Sequence, residues 1–338
     1  GANAANGQQV ALIIGNGDYA VNPIPTAAND AQAITTTLKE LGYEVFFRNN
    51  LDRERTLNTV NAFESALAGA ELGLFFYVGH GVQYNNTNYL VPLGAQVESD
   101  WQIPEVCVAL NDIVDTVARS GVKTGVFMID AARPNPLGTR FSPPDSGLAE
   151  MTPPGNLHLF LADAPNHLTR QGVDPLPGAD STSRFTTTFL ALLKEVPDLS
   201  IGQFMRQLQL AVTVKSRQER NPWYRLGKDD SISLYDSQAL FAKKLEVWPK
   251  DSSLDQAQAF VAEALGVPVT SVTDDQEQEP KNPWVDNPIL VLHTLLRDLE
   301  KLYDIEQLKL LENIYQAGLA ALSAKYNYLM KKDQTEAG

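Results

Sequence analysis

The sequence predicts an α/β fold: a mainly parallel sheet flanked by helices, followed by an α-helical C-terminal appendage. Two observations carry this. Apolar runs of strand length alternate with segments of helical periodicity up to Tyr235, the pattern of strands joined by crossover helices. Beyond Tyr235 the chain turns polar and then leucine-rich at helical spacing.

The elements follow in order. Residues 10–14 (Val-Ala-Leu-Ile-Ile) form a short apolar run ending at Gly15, which reads as a buried strand. Residues 30–41 place Ala31, Ile34, Leu38 and Leu41 on one helical face. A strand is predicted at 43–47, a helix at 55–67 and a strongly apolar strand at 72–78. A helix at 110–118 then leads to a strand at 125–129. Another strand at 157–162 is followed by helices at 185–193 and 201–214. The resulting domain spans 8–240. Residues 241–286 contain the polar acidic stretch Thr273-Asp-Asp-Gln-Glu-Gln-Glu279 and read as a linker. Residues 287–332 read as a helical hairpin, with Leu290, Leu292, Leu295, Leu296 and Leu299 in one helix and Leu308, Leu311, Ile314, Leu319 and Leu322 in the other. A regulatory partner at these helices is expected.

Composition narrows the function classes. The 338 residues carry a formal charge of −14, which argues against nucleic acid as a partner, because phosphate binding relies on clustered Lys and Arg. No apolar run approaches the roughly 20 residues needed to cross a bilayer, so no membrane partner is expected. The first nine residues do not read as a signal peptide. Cys107 is the single cysteine, which rules out an intrachain disulfide and leans toward a reducing compartment, with the cytoplasm as the default expectation.

In open α/β sheets functional groups gather beyond the carboxyl ends of the strands. Gly79-His80-Gly81 follows one inner strand there, and Asp130-Ala131-Ala132-Arg133 follows the next. Taken singly, His80 is an ordinary loop histidine, Asp130 a strand-end cap and Asp30 a first-turn acid favoured by the helix dipole. Their order along the chain gives them more meaning. Ala11-Leu-Ile-Ile-Gly-Asn16, Asn29-Asp30-Ala31, Phe76-Tyr-Val-Gly-His-Gly81, Asn88-Tyr-Leu-Val-Pro92 and Ile129-Asp-Ala-Ala-Arg133 occur in sequence. Together they closely resemble the caspase-like cysteine peptidases, in particular metacaspases and their bacterial relatives, the orthocaspases. The motif spelling points to a prokaryotic source. The resemblance covers about residues 8–236 and does not reach the C-terminal hairpin. The interval from His80 to position 132 is 52 residues, against about 50 between the paired His and Cys of caspases.

The resemblance implies a caspase-like fold and a Cys–His dyad. His80 is the implied general acid/base, position 132 the nucleophile, and the backbone N–H groups of Gly81 and residue 132 the oxyanion hole. Ala132 has no atom able to attack a carbonyl, so the chain as written is expected not to cut peptide bonds. Two origins stay open: a deliberate Cys-to-Ala change, which the otherwise intact machinery favours, and a natural pseudoprotease that binds proteins through its groove. Cys107 lies away from the motif and reads as a small buried hydrophobe.

The resemblance also implies that Asp30 and Asp130 line the S1 pocket. Two carboxylates there would take a protein or peptide substrate with a basic P1 residue, Arg first and Lys second. Many metacaspases have Ser where this chain has Val78. Asp163, after a strand at the same rim, is a candidate for the pocket border. Trp223 either flanks the S2 region or packs. Zymogen processing is expected at Arg140, in Gly138-Thr-Arg-Phe-Ser-Pro-Pro144, or near Arg170. No cofactor is expected. Some metacaspases are activated by calcium, but Glu98 and Asp100 are too sparse for an oxygen cage, so no metal is predicted. His158 reads as structural.

Overall fold

The computed structural model describes residues 7–134, 136–137, 147–169, 181–195 and 199–236. The linker at 241–286, the hairpin at 287–332 and the processing candidates Arg140 and Arg170 lie outside these residues.

Six strands form the main sheet: β1 (Gln9–Gly15), β2 (Glu44–Asn49), β3 (Leu72–Val78), β7 (Thr124–Asp130), β8 (Leu157–Leu161) and β9 (Trp223–Arg225). Their order is β2-β1-β3-β7-β8-β9. All neighbours are parallel except β9, which runs antiparallel to β8. The intervening strands β4 (His80–Tyr84), β5 (Thr87–Val91) and β6 (Val108–Ala109) make a separate antiparallel sheet. The helices are α1 (Ala27–Glu40), α2 (Arg53–Ala66), α3 (Ile103–Val106), α4 (Leu110–Arg119), α5 (Arg184–Glu195) and α6 (Ile201–Lys215). Among the described residues no helix is long and apolar enough to cross a membrane.

Both faces of the sheet are covered, as continuous apolar strands require. On one face Val10, Leu12 and Ile14 of β1 join Phe75, Phe127, Ile129 and Leu159 against Val60 and Phe63 of α2 and Ile113, Val114 and Val117 of α4. The other face carries an aromatic cluster: the Phe76 ring meets Phe185 and Phe189 of α5 at 6.2 and 5.2 Å, and Phe189 meets Phe204 of α6 at 5.5 Å. The α1 helix packs on β1 so closely that a Cβ at Gly15 would lie 2.5 Å from the Ala27 carbonyl oxygen. Gly15 ends β1 because nothing larger fits under the helix.

The five strands and five helices predicted within residues 8–240 are present, most with shifted ends and the 72–78 strand with none. The first helix begins three residues early, at Ala27, which puts Asp30 in its first turn. The β4–β5 hairpin escaped prediction because Gly79, Gln83 and the two asparagines break the apolar alternation. Its two-residue turn, Asn85-Asn86, has φ of 49° and 62° at the two positions, a left-handed pair that asparagine tolerates. The strand β9 is only three residues long and also escaped prediction. His80, expected in a loop, opens β4 opposite Val91.

Candidate active site

The carboxyl ends of β3 and β7 are in register, Val78 beside Asp130. The pairing continues past both strands: Gly79 N–H donates to the Asp130 carbonyl at 3.2 Å, and Gly81 N–H to the Ala131 carbonyl at 2.9 Å. His80 therefore stands between two backbone bonds that tie its segment to the two residues preceding Ala132. Both glycines are required by space. A Cβ at Gly79 would lie 2.4 Å from the Tyr77 hydroxyl, and one at Gly81 would lie 3.0 Å from the Ala131 Cβ and 3.1 Å from a Leu148 methyl.

His80 is 1% exposed. Its Nε2 lies 2.7 Å from the Asn22 carbonyl oxygen. A carbonyl can only accept, so Nε2 carries the proton and Nδ1 of the neutral ring presents a lone pair. That Nδ1 is buried and has no hydrogen-bond partner. Two tyrosines hold the rest of the residue. The Tyr77 hydroxyl donates to the His80 carbonyl at 2.9 Å, and the Tyr19 hydroxyl accepts from His80 N–H at 3.1 Å. The Tyr19 ring packs 4.5 Å from the imidazole. Burial pushes the imidazole down to about 4, opposed by the Asn22 carbonyl and reinforced by the Arg133 charge. Near neutral pH the ring is an uncharged base.

Ala132 is 3% exposed, and its carbonyl accepts from Thr169 N–H at 2.7 Å. The preceding carbonyl, of Ala131, accepts from both Gly81 and Arg133 N–H. Since no described peptide is cis, the Ala132 N–H points opposite to that carbonyl. In this conformation the Gly81 N–H, expected as an oxyanion donor, is occupied by the Ala131 carbonyl, and the two expected donors do not converge. Turning the Ala131–Ala132 peptide unit would release Gly81 N–H and swing the second N–H toward it.

The acidic residues form a buried group with two arginines. Asp130, fully buried, accepts from Arg220 Nη2 on Oδ1 at 2.8 Å and from Arg133 Nη2 on Oδ2 at 3.2 Å. Burial pushes its carboxyl up, but Arg133 and Arg220 outweigh that and hold it below the usual range. Asp163 accepts from Arg220 Nε on Oδ1 at 3.2 Å and from Arg220 Nη2 and the Thr169 hydroxyl on Oδ2, both at 2.6 Å. Burial pushes Asp163 up, opposed by the Arg220 guanidinium and the Thr169 hydroxyl that bond it. Asp163 was expected as a border of the pocket; in the structure it is buried and bonded to Arg220.

Asp30 is the exception in this group. Its Oδ1 accepts from Ser183 N–H at 2.6 Å, while Oδ2 is buried without a hydrogen-bond partner. The Thr26 hydroxyl is near enough to favour the anion without hydrogen-bond geometry. Burial, opposed by Ser183 and assisted by the Asp130 charge, pushes Asp30 up to about 6.

Trp223 is half-buried, pairs with Leu161 and packs on the core, with the Arg225 guanidinium 5.2 Å over its ring. Cys107 is buried with its thiol pushed up to about 12 by burial, so it is no thiolate source. His158 is buried in β8, its Nδ1 accepting from Gly227 N–H at 3.0 Å. Among the described residues no three His, Cys, Asp or Glu side chains are arranged to hold a metal ion.

Sequence reasoning missed Asn22, Arg220, Tyr19 and Thr169. Asn22 acts through its carbonyl, which no residue type announces. Arg220 stands in Glu219-Arg-Asn-Pro222, where nothing marks it as buried.

A family model described as the caspase domain, peptidase C14, matches residues 8–229. The chain is also 27% identical over 126 residues to the mucosa-associated lymphoid tissue lymphoma translocation protein 1 of Homo sapiens, and equally to its Mus musculus homologue. Those matches cover 37% of this chain and 15% of either relative.

Proposed function

The chain belongs to the caspase-domain family, and from this premise we propose that its active form is a cysteine endopeptidase cleaving proteins after Arg and then Lys. In this reading it works by a Cys–His dyad, with Ala132 in the place of the nucleophile and the chain inactive for that reason.

The observation that carries the reading is the state of His80. Its Nε2–H is committed to Asn22, which leaves Nδ1 as a buried acceptor with nothing to accept. A general base oriented by a third group and lacking only its proton donor is what loss of a thiol at position 132 would leave. With a thiol there, Nδ1 takes the proton as sulfur attacks the scissile carbonyl, and the imidazolium then passes it to the departing amine. Water deacylates the thioester by the same base. The developing oxyanion takes the N–H groups of Gly81 and residue 132 once the Ala131 carbonyl releases the first. This chemistry calls for no metal or organic cofactor.

The basic P1 preference is supported by charge. When all three are ionised, the buried carboxylates Asp30, Asp130 and Asp163 outnumber the guanidiniums of Arg133 and Arg220, which bond Asp130 and Asp163, by one negative charge. One added cation would neutralise it. The test is the Ala132→Cys protein on peptides differing only at P1, with His80→Ala as control; hydrolysis after Arg and Lys that requires His80 is expected.

Ala132 itself favours a second reading, in which the chain is a natural pseudoprotease that holds a partner in the same groove. An Ala132→Cys protein that binds basic peptides without cutting them would decide for it.

A further inference from the structure

Arg220 is among the largest fully buried side chains of the molecule. It leaves the loop after α6 with its backbone N–H on the Ser216 hydroxyl at 3.0 Å and its guanidinium 5.6 Å over the Phe185 ring. From there it reaches the carboxyl ends of two neighbouring strands, bonding Asp130 at the end of β7 and Asp163 beyond β8. Arg133 takes the remaining oxygen of Asp130. Neither oxygen of Asp130 and neither oxygen of Asp163 is left without a cationic donor. Across the group a single carboxylate oxygen has no partner: Oδ2 of Asp30, since Oδ1 is held by Ser183.

This arithmetic bears on selectivity. Arginine outcompetes lysine at acidic sites when its planar fork finds two suitably placed oxygens; a single oxygen sees both chiefly as a positive charge. We propose that Arg220 is a specificity-determining residue: by claiming Asp130 and Asp163 it reduces the pocket to one anionic oxygen, on Asp30, so that substrates ending in Lys are taken almost as readily as those ending in Arg. The proposal rests on the reading of Asp30 and Asp130 as the basic-residue pocket and sharpens its order of preference. Arg220 acts through Asp130 rather than by touching substrate. Releasing the Asp130 Oδ1 from Arg220 would return a second anionic oxygen to the group for a guanidinium to use.

The experiment uses the chain as it stands and needs no catalysis. n-Propylguanidine, the arginine side-chain analogue, and n-butylamine, the lysine side-chain analogue, each with a single positive charge, are titrated by ligand-detected NMR. The parent should bind both, within about tenfold of one another. Asp30→Asn should lose both. The paired change Arg220→Met with Asp163→Asn, which removes one charge of each sign, should favour n-propylguanidine by at least a further tenfold. A thermal melt verifies that this variant is folded. The proposal is overturned if the parent prefers n-propylguanidine by more than about tenfold, if neither cation binds, if Asp30→Asn still binds them, or if the folded paired variant keeps the parent's ratio. The parent and Asp30→Asn results decide the matter even if the paired variant fails to fold. Hydrolysis by Ala132→Cys separately tests the peptidase reading, so the two can fail independently.

Discussion

His80 donates a hydrogen bond from Nε2–H to the carbonyl oxygen of Asn22, 2.7 Å away, and so leaves an unprotonated Nδ1 in a buried space where nothing donates to it. The ring is oriented as a base before any substrate arrives. Its low proton affinity follows from burial and the nearby Arg133 charge, and both effects would be offset by a thiolate. In Ala132→Cys the His80 pKa should therefore rise above its value of about 4 in the parent. Following the imidazole carbon shifts by NMR between pH 3.5 and 8 measures both; an identical midpoint in the two proteins would separate His80 from position 132.

Stability against pH should be flatter than either buried group alone would make it. The imidazole falls from 6.5 to about 4 on folding, so its contribution is present above pH 6.5 and lost as pH falls toward 4. Asp30 rises from 3.8 to about 6, so its contribution is present below pH 3.8 and lost as pH rises through about 6. Each shift is worth about 3 kcal/mol, and the two slopes oppose one another between pH 4 and 6. Asp30→Asn should stabilise the chain at pH 7 by about 1–3 kcal/mol and expose the steeper acid sensitivity of His80. Urea melts at pH 4.5 and 7 check this; no gain at pH 7 would mean that Asp30 is not a strained anion there.

Arg220→Met alone should be among the most damaging single changes, costing about 3–5 kcal/mol, because it strands Asp163 and half of Asp130 as buried charges. Adding Asp163→Asn should recover most of that loss. Thermal melts of the single and paired variants give the coupling, and simple additivity would show that the two residues do not depend on one another.

At Gly79 the Tyr77 hydroxyl leaves no room for a methyl group. Gly79→Ala should cost about 1–3 kcal/mol and displace the hydroxyl that holds the His80 carbonyl. In the Ala132→Cys background it should lower kcat more than it raises KM. A shift confined to KM would place Gly79 outside the support of the base.

The sheet was legible because its strands are unbroken apolar runs, 72–78 and 125–129 among them, and its helices carry a regular stripe. The meeting of the His80 and Ala132 segments was legible for the same reason, since both follow inner strands. What the residues do to one another was not. The occupation of Gly81 N–H by Ala131 is a matter of one peptide's orientation, and no residue type encodes it. The acids at 30, 130 and 163 were read as one open pocket because Arg220 is distant in sequence, 90 residues from Asp130, and stands alone in a polar segment. The Asn85-Asn86 turn was the one missed feature with a usable signal, two residues tolerant of positive φ between strand-like flanks.

The occupied Gly81 N–H makes its own prediction. In the parent this amide should exchange slowly, since it is bonded at 2.9 Å in a buried segment. When Ala132→Cys is trapped with a peptide aldehyde ending in arginine, the Gly81 and position 132 amide protons should shift together as both turn to the new oxyanion. Movement of neither would remove them from the oxyanion hole.

The central claim is tested most directly by restoring the thiol. Ala132→Cys should hydrolyse peptides after Arg and Lys at least about a hundredfold faster than after Asp, and His80→Ala in the same protein should abolish it. Preference for Asp would contradict the acidic pocket. No hydrolysis of any peptide by a folded Ala132→Cys protein would contradict the dyad itself.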